Sequence, residues 1–157
     1  MAKVNYITGD ATNPQTNGNR IIVHVCNDIG GWGKGFVMAI SKRWKEPEHQ
    51  YRQWFKSNDN FSLGQVQFVQ VEEKLWVANL IGQHKINKDE NGNAPIRYEA
   101  ILLGLEKVGQ FAIDKKATVH MPRIGCGLAG GTWDKIEPLI NKSLLENEIE
   151  TYVYDFD

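Results

Sequence analysis

Cysteine is nearly absent: the chain of 157 residues carries only Cys26 and Cys126. Two thiols cannot form the disulfide framework of a small secreted domain, and they read as reduced thiols in a cytosol. An excess of charge of one sign is also missing. Eighteen Lys and Arg stand against nineteen Asp and Glu, a net charge of −1, so no global basic field draws nucleic acid. No apolar run approaches bilayer length, and Met1 to Tyr6 show no basic stretch leading into an apolar one. A cytoplasmic protein without a membrane partner is expected. The four histidines, His24, His49, His84 and His120, are dispersed without metal-ligand spacing, so no metal and no cofactor are expected. The length fits a single domain over 1–157 with a sizeable core, expected to be a monomer.

Glycine, by contrast, is plentiful and clustered. One glycine-rich run follows Val23-His24-Val25-Cys26-Asn27-Asp28 as Ile29-Gly30-Gly31-Trp32-Gly33-Lys34-Gly35. A second follows Met121-Pro122-Arg123-Ile124 as Gly125-Cys126-Gly127-Leu128-Ala129-Gly130-Gly131. Each run opens off an apolar strand and leads into a helical pattern. Glycine permits close backbone approach to a ligand, and a helix start directs N–H groups and a dipole at one spot. Two such loops suit a ligand with two phosphates, held by backbone from both sides.

Strand patterns fall at Val4–Thr8, Arg20–Cys26, Gln65–Val71, Leu75–Leu80, Thr118–Met121 and Thr151–Phe156. Helical stripes lie between them: Phe36, Val37, Ile40 and Trp44, then Tyr51, Trp54 and Phe55 after Pro47. Tyr98, Ile101, Leu102, Leu105, Val108 and Ala112 form the longest stripe, and Trp133, Ile136, Ile140 and Leu144 the last. One hairpin across Glu72-Glu73-Lys74 joins otherwise crossover-linked strands. The expected fold is α/β, a three-layer α/β/α domain on a mixed six-stranded sheet. Ligands in such sheets sit at the carboxyl ends of strands. The polar stretch from Ile86 to Pro95 reads as a mobile loop.

Familiar phosphate motifs fail. A Walker A loop would need glycine where Asp28 stands, and the dinucleotide fingerprint would need it at Phe36. Cys126 has no arginine in the seven residues after it and no activating cation, which speaks against a thiol nucleophile. Asp10, at the end of the first strand, either accepts from a base amine or caps a turn. His24 is either an acid/base group or a strand histidine bonded in the core. His84, on a loop after a strand, is a second acid/base candidate, and Asp28 either orients water or caps its loop.

The motifs Tyr6-Ile7-Thr8-Gly9-Asp10-Ala11, His24-Val25-Cys26-Asn27, Trp32-Gly33-Lys34-Gly35 and Pro122-Arg123-Ile124-Gly125-Cys126-Gly127-Leu128 resemble the macrodomain family, in order and over nearly the whole chain. Within it the chain is similar to the branch of ADP-ribose 1″-phosphate phosphatases and terminal ADP-ribose protein glycohydrolases. The resemblance implies ADP-ribose or a derivative as ligand. It implies adenine at Gly9 and Asp10 near Tyr154, and the distal ribose at Asn27. The diphosphate and distal ribose would lie at Gly31, Trp32, Gly33 and Gly35, and across from them at Gly125, Cys126, Gly127, Leu128, Ala129 and Gly130. His24 matches a histidine of the phosphatase motif. Gln83 and Ala129 stand where the glycohydrolases carry lysine and aspartate, which disfavours a covalent lysyl intermediate. The resemblance therefore implies a phosphatase acting on ADP-ribose 1″-phosphate, with His24, His84 and Asp28 as catalytic candidates. The alternatives are a non-catalytic ADP-ribose reader or a hydrolase acting on ADP-ribosylated protein or nucleic acid. Nucleic acid is otherwise not an expected partner.

Overall fold

A computed structural model describes residues 3–156. Six strands form one sheet: β1 (Val4–Thr8), β2 (Arg20–Asn27), β3 (Val66–Glu72), β4 (Leu75–Gln83), β5 (Thr118–Pro122) and β6 (Thr151–Asp155). Four α-helices accompany them: α1 (Phe36–Arg43), α2 (Glu46–Ser57), α3 (Tyr98–Lys115) and α4 (Trp133–Ser143). The strand order is β1-β6-β5-β2-β4-β3. Every pairing is parallel except β3 with β4, which is the expected hairpin.

The strands read as β-branched runs because both faces of the central sheet are covered by helices. On one face Ile21, Val23 and Leu80 pack with Ile101 and Leu105 of α3 and Ile136 and Ile140 of α4. On the other, Ile22 and Val77 pack with Ile40 of α1 and Tyr51 of α2. Pro138 lies inside α4, which nevertheless runs on to Ser143. β2 and β4 extend to Asn27 and Gln83, beyond the apolar runs that mark them. Both lengthened strands end beside each other, with a register irregularity between Cys26 and Asn27. That end carries the first glycine loop. Among the described residues no helix is long and apolar enough to cross a membrane.

Candidate functional site

Asp28, the first residue after β2, reaches the loop that follows β4. Its Oδ2 lies 2.7 Å from Nδ1 of His84, and its Oδ1 accepts the backbone N–H of Lys85 at 2.8 Å. A carboxylate against Nδ1 fixes the proton on that nitrogen and leaves Nε2 as the free acceptor of the ring. The His84 side chain is 42% exposed and that of Asp28 16%, so the pair faces solvent from a sheltered base. Lys85 takes a left-handed backbone with φ 59, a conformation a side-chain-bearing residue adopts at some cost.

Asn27 organises the first glycine loop. Its Oδ1 accepts from the backbone of Ile29 at 3.1 Å and Gly31 at 2.9 Å, and from the Tyr51 hydroxyl at 3.0 Å. Its Nδ2 donates to the Gly31 carbonyl at 3.0 Å. The amide thus shapes the loop through three accepted bonds and one donated bond. Trp32 also turns inward. It is buried, donates to Ser41 Oγ at 2.8 Å, and packs against His24 and Tyr51. Gly33 is different, because a Cβ there would meet nothing within 4 Å. At Gly35 it would stand 3.3 Å from the Leu128 side chain, which places the two glycine loops opposite each other.

In the second loop the glycines divide by environment. Gly125 and Gly130 have φ of 74° and 79°. A Cβ at Gly125 would lie 2.5 Å from Ile96, and one at Gly130 2.8 Å from Ala94. These two shape the loop and seat it on the segment before α3. Gly127 faces open space, and Leu128 beside it is 63% exposed. Ala129 is buried, and its carbonyl accepts the Ile96 N–H at 3.0 Å. Burial raises the Cys126 thiol above its ordinary value although Arg123 opposes the shift, which suits no nucleophile.

The stretch from Ile86 to Pro95 is anchored at both ends instead of hanging free. The His84 N–H donates to the Pro95 carbonyl at 2.8 Å, and that of Arg97 to Gly82 at 2.9 Å. Its Ile86 side chain also abuts the first loop, 3.2 Å from where a Cβ at Gly31 would stand.

Asp10 lies past the end of β1. Its Oδ1 accepts from the Thr12 backbone at 2.8 Å and hydroxyl at 2.7 Å, while Oδ2 meets Arg43 Nη2 at 3.3 Å. Burial would raise this carboxyl, but the Thr12 and Arg43 contacts outweigh it and hold it below the ordinary range. One oxygen caps the turn, and the side chain as a whole remains 37% exposed. Tyr154 is buried, its hydroxyl 2.7 Å from His120 Nδ1, so its ring supports Gly9 from beneath. The open ring at this end is Phe156, 82% exposed. It follows Asp155, whose carbonyl accepts at 2.9 Å the N–H of Gly9, the residue before Asp10.

His24 corrects one expectation. It is buried on β2, its Nε2 2.6 Å from Asn79 Oδ1 and its ring against Trp32. Burial drives its pKa down to about 4 despite the Asn79 contact. A neutral, enclosed imidazole has no route to a ligand between the loops. The structure brings Asp28 and His84 together and leaves His24 in the core. The sequence reading missed Tyr51, Thr12, Arg43 and Phe156. Only Phe156 carried a signal, as the aromatic that closes the strand pattern Thr151–Phe156.

No family model matches the chain, but individual proteins do. A protein of unknown function from Bacteroides thetaiotaomicron is 58% identical, with TM-score 0.97 and 98% of each chain covered. The structure of a macrodomain protein from Streptomyces coelicolor is 52% identical with TM-score 0.86, covering 98% of this chain and 99% of that one. This chain belongs to the macrodomain family. Among curated relatives, mouse chromodomain-helicase-DNA-binding protein 1-like is 36% identical over 98% of this chain, which spans only 18% of that protein's length. The ADP-ribose 1″-phosphate phosphatase of Meyerozyma guilliermondii is 24% identical, with 90% of this chain and 94% of that protein covered.

Proposed function

We propose that this protein binds ADP-ribose or a derivative between its two glycine loops and hydrolyses ADP-ribose 1″-phosphate to ADP-ribose and phosphate. The Asp28–His84 pair carries this reading, because it puts a solvent-facing imidazole with a fixed tautomer beside a phosphate-suited loop. Likeness to the yeast phosphatase over nearly the full length of both chains supports the choice of substrate. Gly33 and Gly127, whose surroundings are open, let backbone approach the diphosphate. Asp10 and Phe156 suit the adenine, one as an acceptor and the other as a stacking face.

In the reaction the oxygen of water forms a bond to phosphorus as the bond from phosphorus to the C1″ oxygen breaks. His84 Nε2 takes the proton of the water, and the released C1″ oxygen takes one up. Asp28 holds the ring and stabilises its charged form, as the carboxylate does in a catalytic triad. Gln83 and Ala129 leave no lysine and carboxylate for a covalent intermediate. The test is side-by-side incubation with ADP-ribose 1″-phosphate and with ADP-ribosylated protein, measuring phosphate and ADP-ribose release. Phosphate from the first and little ADP-ribose from the second is the expected result. Binding of ADP-ribose with no turnover of either would make the protein a reader instead.

A further inference from the structure

His84 belongs to more than the clasp with Asp28. It also lines an open cavity of about 620 Å³ bordered by Ile29, residues 85–91 and Arg97. Three cations stand in this wall: Lys85, Lys88 and Arg97. The Arg97 guanidinium is fixed, its Nη1 donating to the carbonyls of Ala94, Pro95 and Ile96 at 2.8, 3.1 and 2.9 Å. Lys85 is fixed at its backbone by the bond to Asp28. Two carboxylates share the wall, but Asp89 is already engaged. Its Oδ1 accepts from the backbone of Asn91 and Asn93 at 2.9 Å each, and its Oδ2 from the Asn93 amide at 3.1 Å. Asp89 and Glu90 together leave the three cations a formal excess of one positive charge, and the bonds of Asp89 hold its carboxylate to its own loop. Among the described residues no Phe, Tyr or Trp lines the cavity, so it lacks the large rings on which a base stacks best.

We propose that this cavity is an anion subsite that receives the phosphate carried on the distal ribose, with Lys85, Lys88 and Arg97 supplying the opposing charge. The proposal rests on the reading of the glycine loops as an ADP-ribose site. It adds what those loops lack, a group that tells the phosphorylated ligand from ADP-ribose itself. A phosphate seated here lies against His84, and the cations offset the charge on its oxygens during attack by water. Once phosphorus has left, ADP-ribose has no anion for the cavity, so product is held less firmly than substrate.

Two measurements on the wild type and on the double variant Lys85→Gln, Lys88→Gln decide the matter. The first titrates inorganic phosphate and follows backbone amide resonances. Shifts are expected in residues 84–97, and they should largely vanish in the double variant. The second compares KM for ADP-ribose 1″-phosphate with Kd for ADP-ribose. KM should rise at least tenfold in the variant, while the ADP-ribose affinity stays within about twofold. Absent phosphate-induced shifts, shifts that persist undiminished in the variant, or an unchanged KM would overturn the subsite. Failure of the wild type to bind ADP-ribose would overturn the glycine-loop reading, and the phosphate titration would still judge the cavity.

Discussion

At the scale of single residues, the site depends on contacts between groups far apart in the chain. Asp28 and His84 are 56 positions apart, and one hydrogen bond of 2.7 Å joins them. If Asp28 acts by holding the ring, Asp28→Asn should lower kcat at least tenfold and leave ADP-ribose affinity nearly unchanged, since a positioned base contributes about 10²–10⁴-fold. Equal losses in kcat and affinity would show instead that the loop had collapsed. Asp10 makes a different case, because it caps a turn through Oδ1 and meets Arg43 through Oδ2 on a side chain that is 37% exposed. Asp10→Ala should weaken ADP-ribose binding by about 1–3 kcal/mol, the scale for a hydrogen bond to a charged group. Calorimetry and melting temperature measured together separate that from a loss of the cap. The sequence named all four of Asp10, Asp28, His24 and His84, but not their partners. His24 stayed ambiguous because its environment is set by Asn79 on another strand.

At the scale of elements, the strands and the hairpin were legible because period and β-branched content are local properties. The glycine loops were legible as loops, but the task of each glycine was not. Gly125 and Gly130 answer to Ile96 and Ala94, about thirty residues earlier in the chain, whereas Gly127 faces open space. A glutamate at Gly127 should therefore abolish ligand binding, by bulk and by like charge, with little change in melting temperature. A valine at Gly130 should lower the melting temperature as well, since it combines a left-handed backbone with a collision at Ala94. Thermal shift with and without ADP-ribose reads both outcomes, and equal destabilisation by the two would contradict this division. The final strand was also legible, yet its burial was not: Tyr154 is buried and Phe156, just past the strand, is 82% exposed, and the proposed stacking face is therefore Phe156. Phe156→Ala should cost about 1–3 kcal/mol of ADP-ribose affinity, the range for a base stacked on an aromatic ring.

At the scale of the whole molecule, the buried histidines make stability depend on pH. Burial holds His24 at about 4, and burial with the nearby Arg20 charge holds His120 at about 3, against an ordinary 6.5. The folded state binds fewer protons than the unfolded one, so their contribution is full above about pH 6.5 and is lost as pH falls toward 4. At about 1.4 kcal/mol per unit, His24 alone accounts for about 3 kcal/mol. Urea unfolding at pH 7 and pH 4.5 should show that loss, and a flat profile would count against two neutral core imidazoles. The same enclosure that makes His24 matter for folding keeps it from solvent, and the proposed base is therefore His84. The most direct measurement is phosphate release from ADP-ribose 1″-phosphate by the wild type, by His84→Ala and by His24→Gln, each with its ADP-ribose affinity determined alongside. The prediction is turnover by the wild type, at least a tenfold fall in His84→Ala with affinity retained, and a rate per folded molecule in His24→Gln close to the wild type. A wild type that binds ADP-ribose and releases no phosphate, or a His84→Ala variant as fast as the wild type, would contradict it.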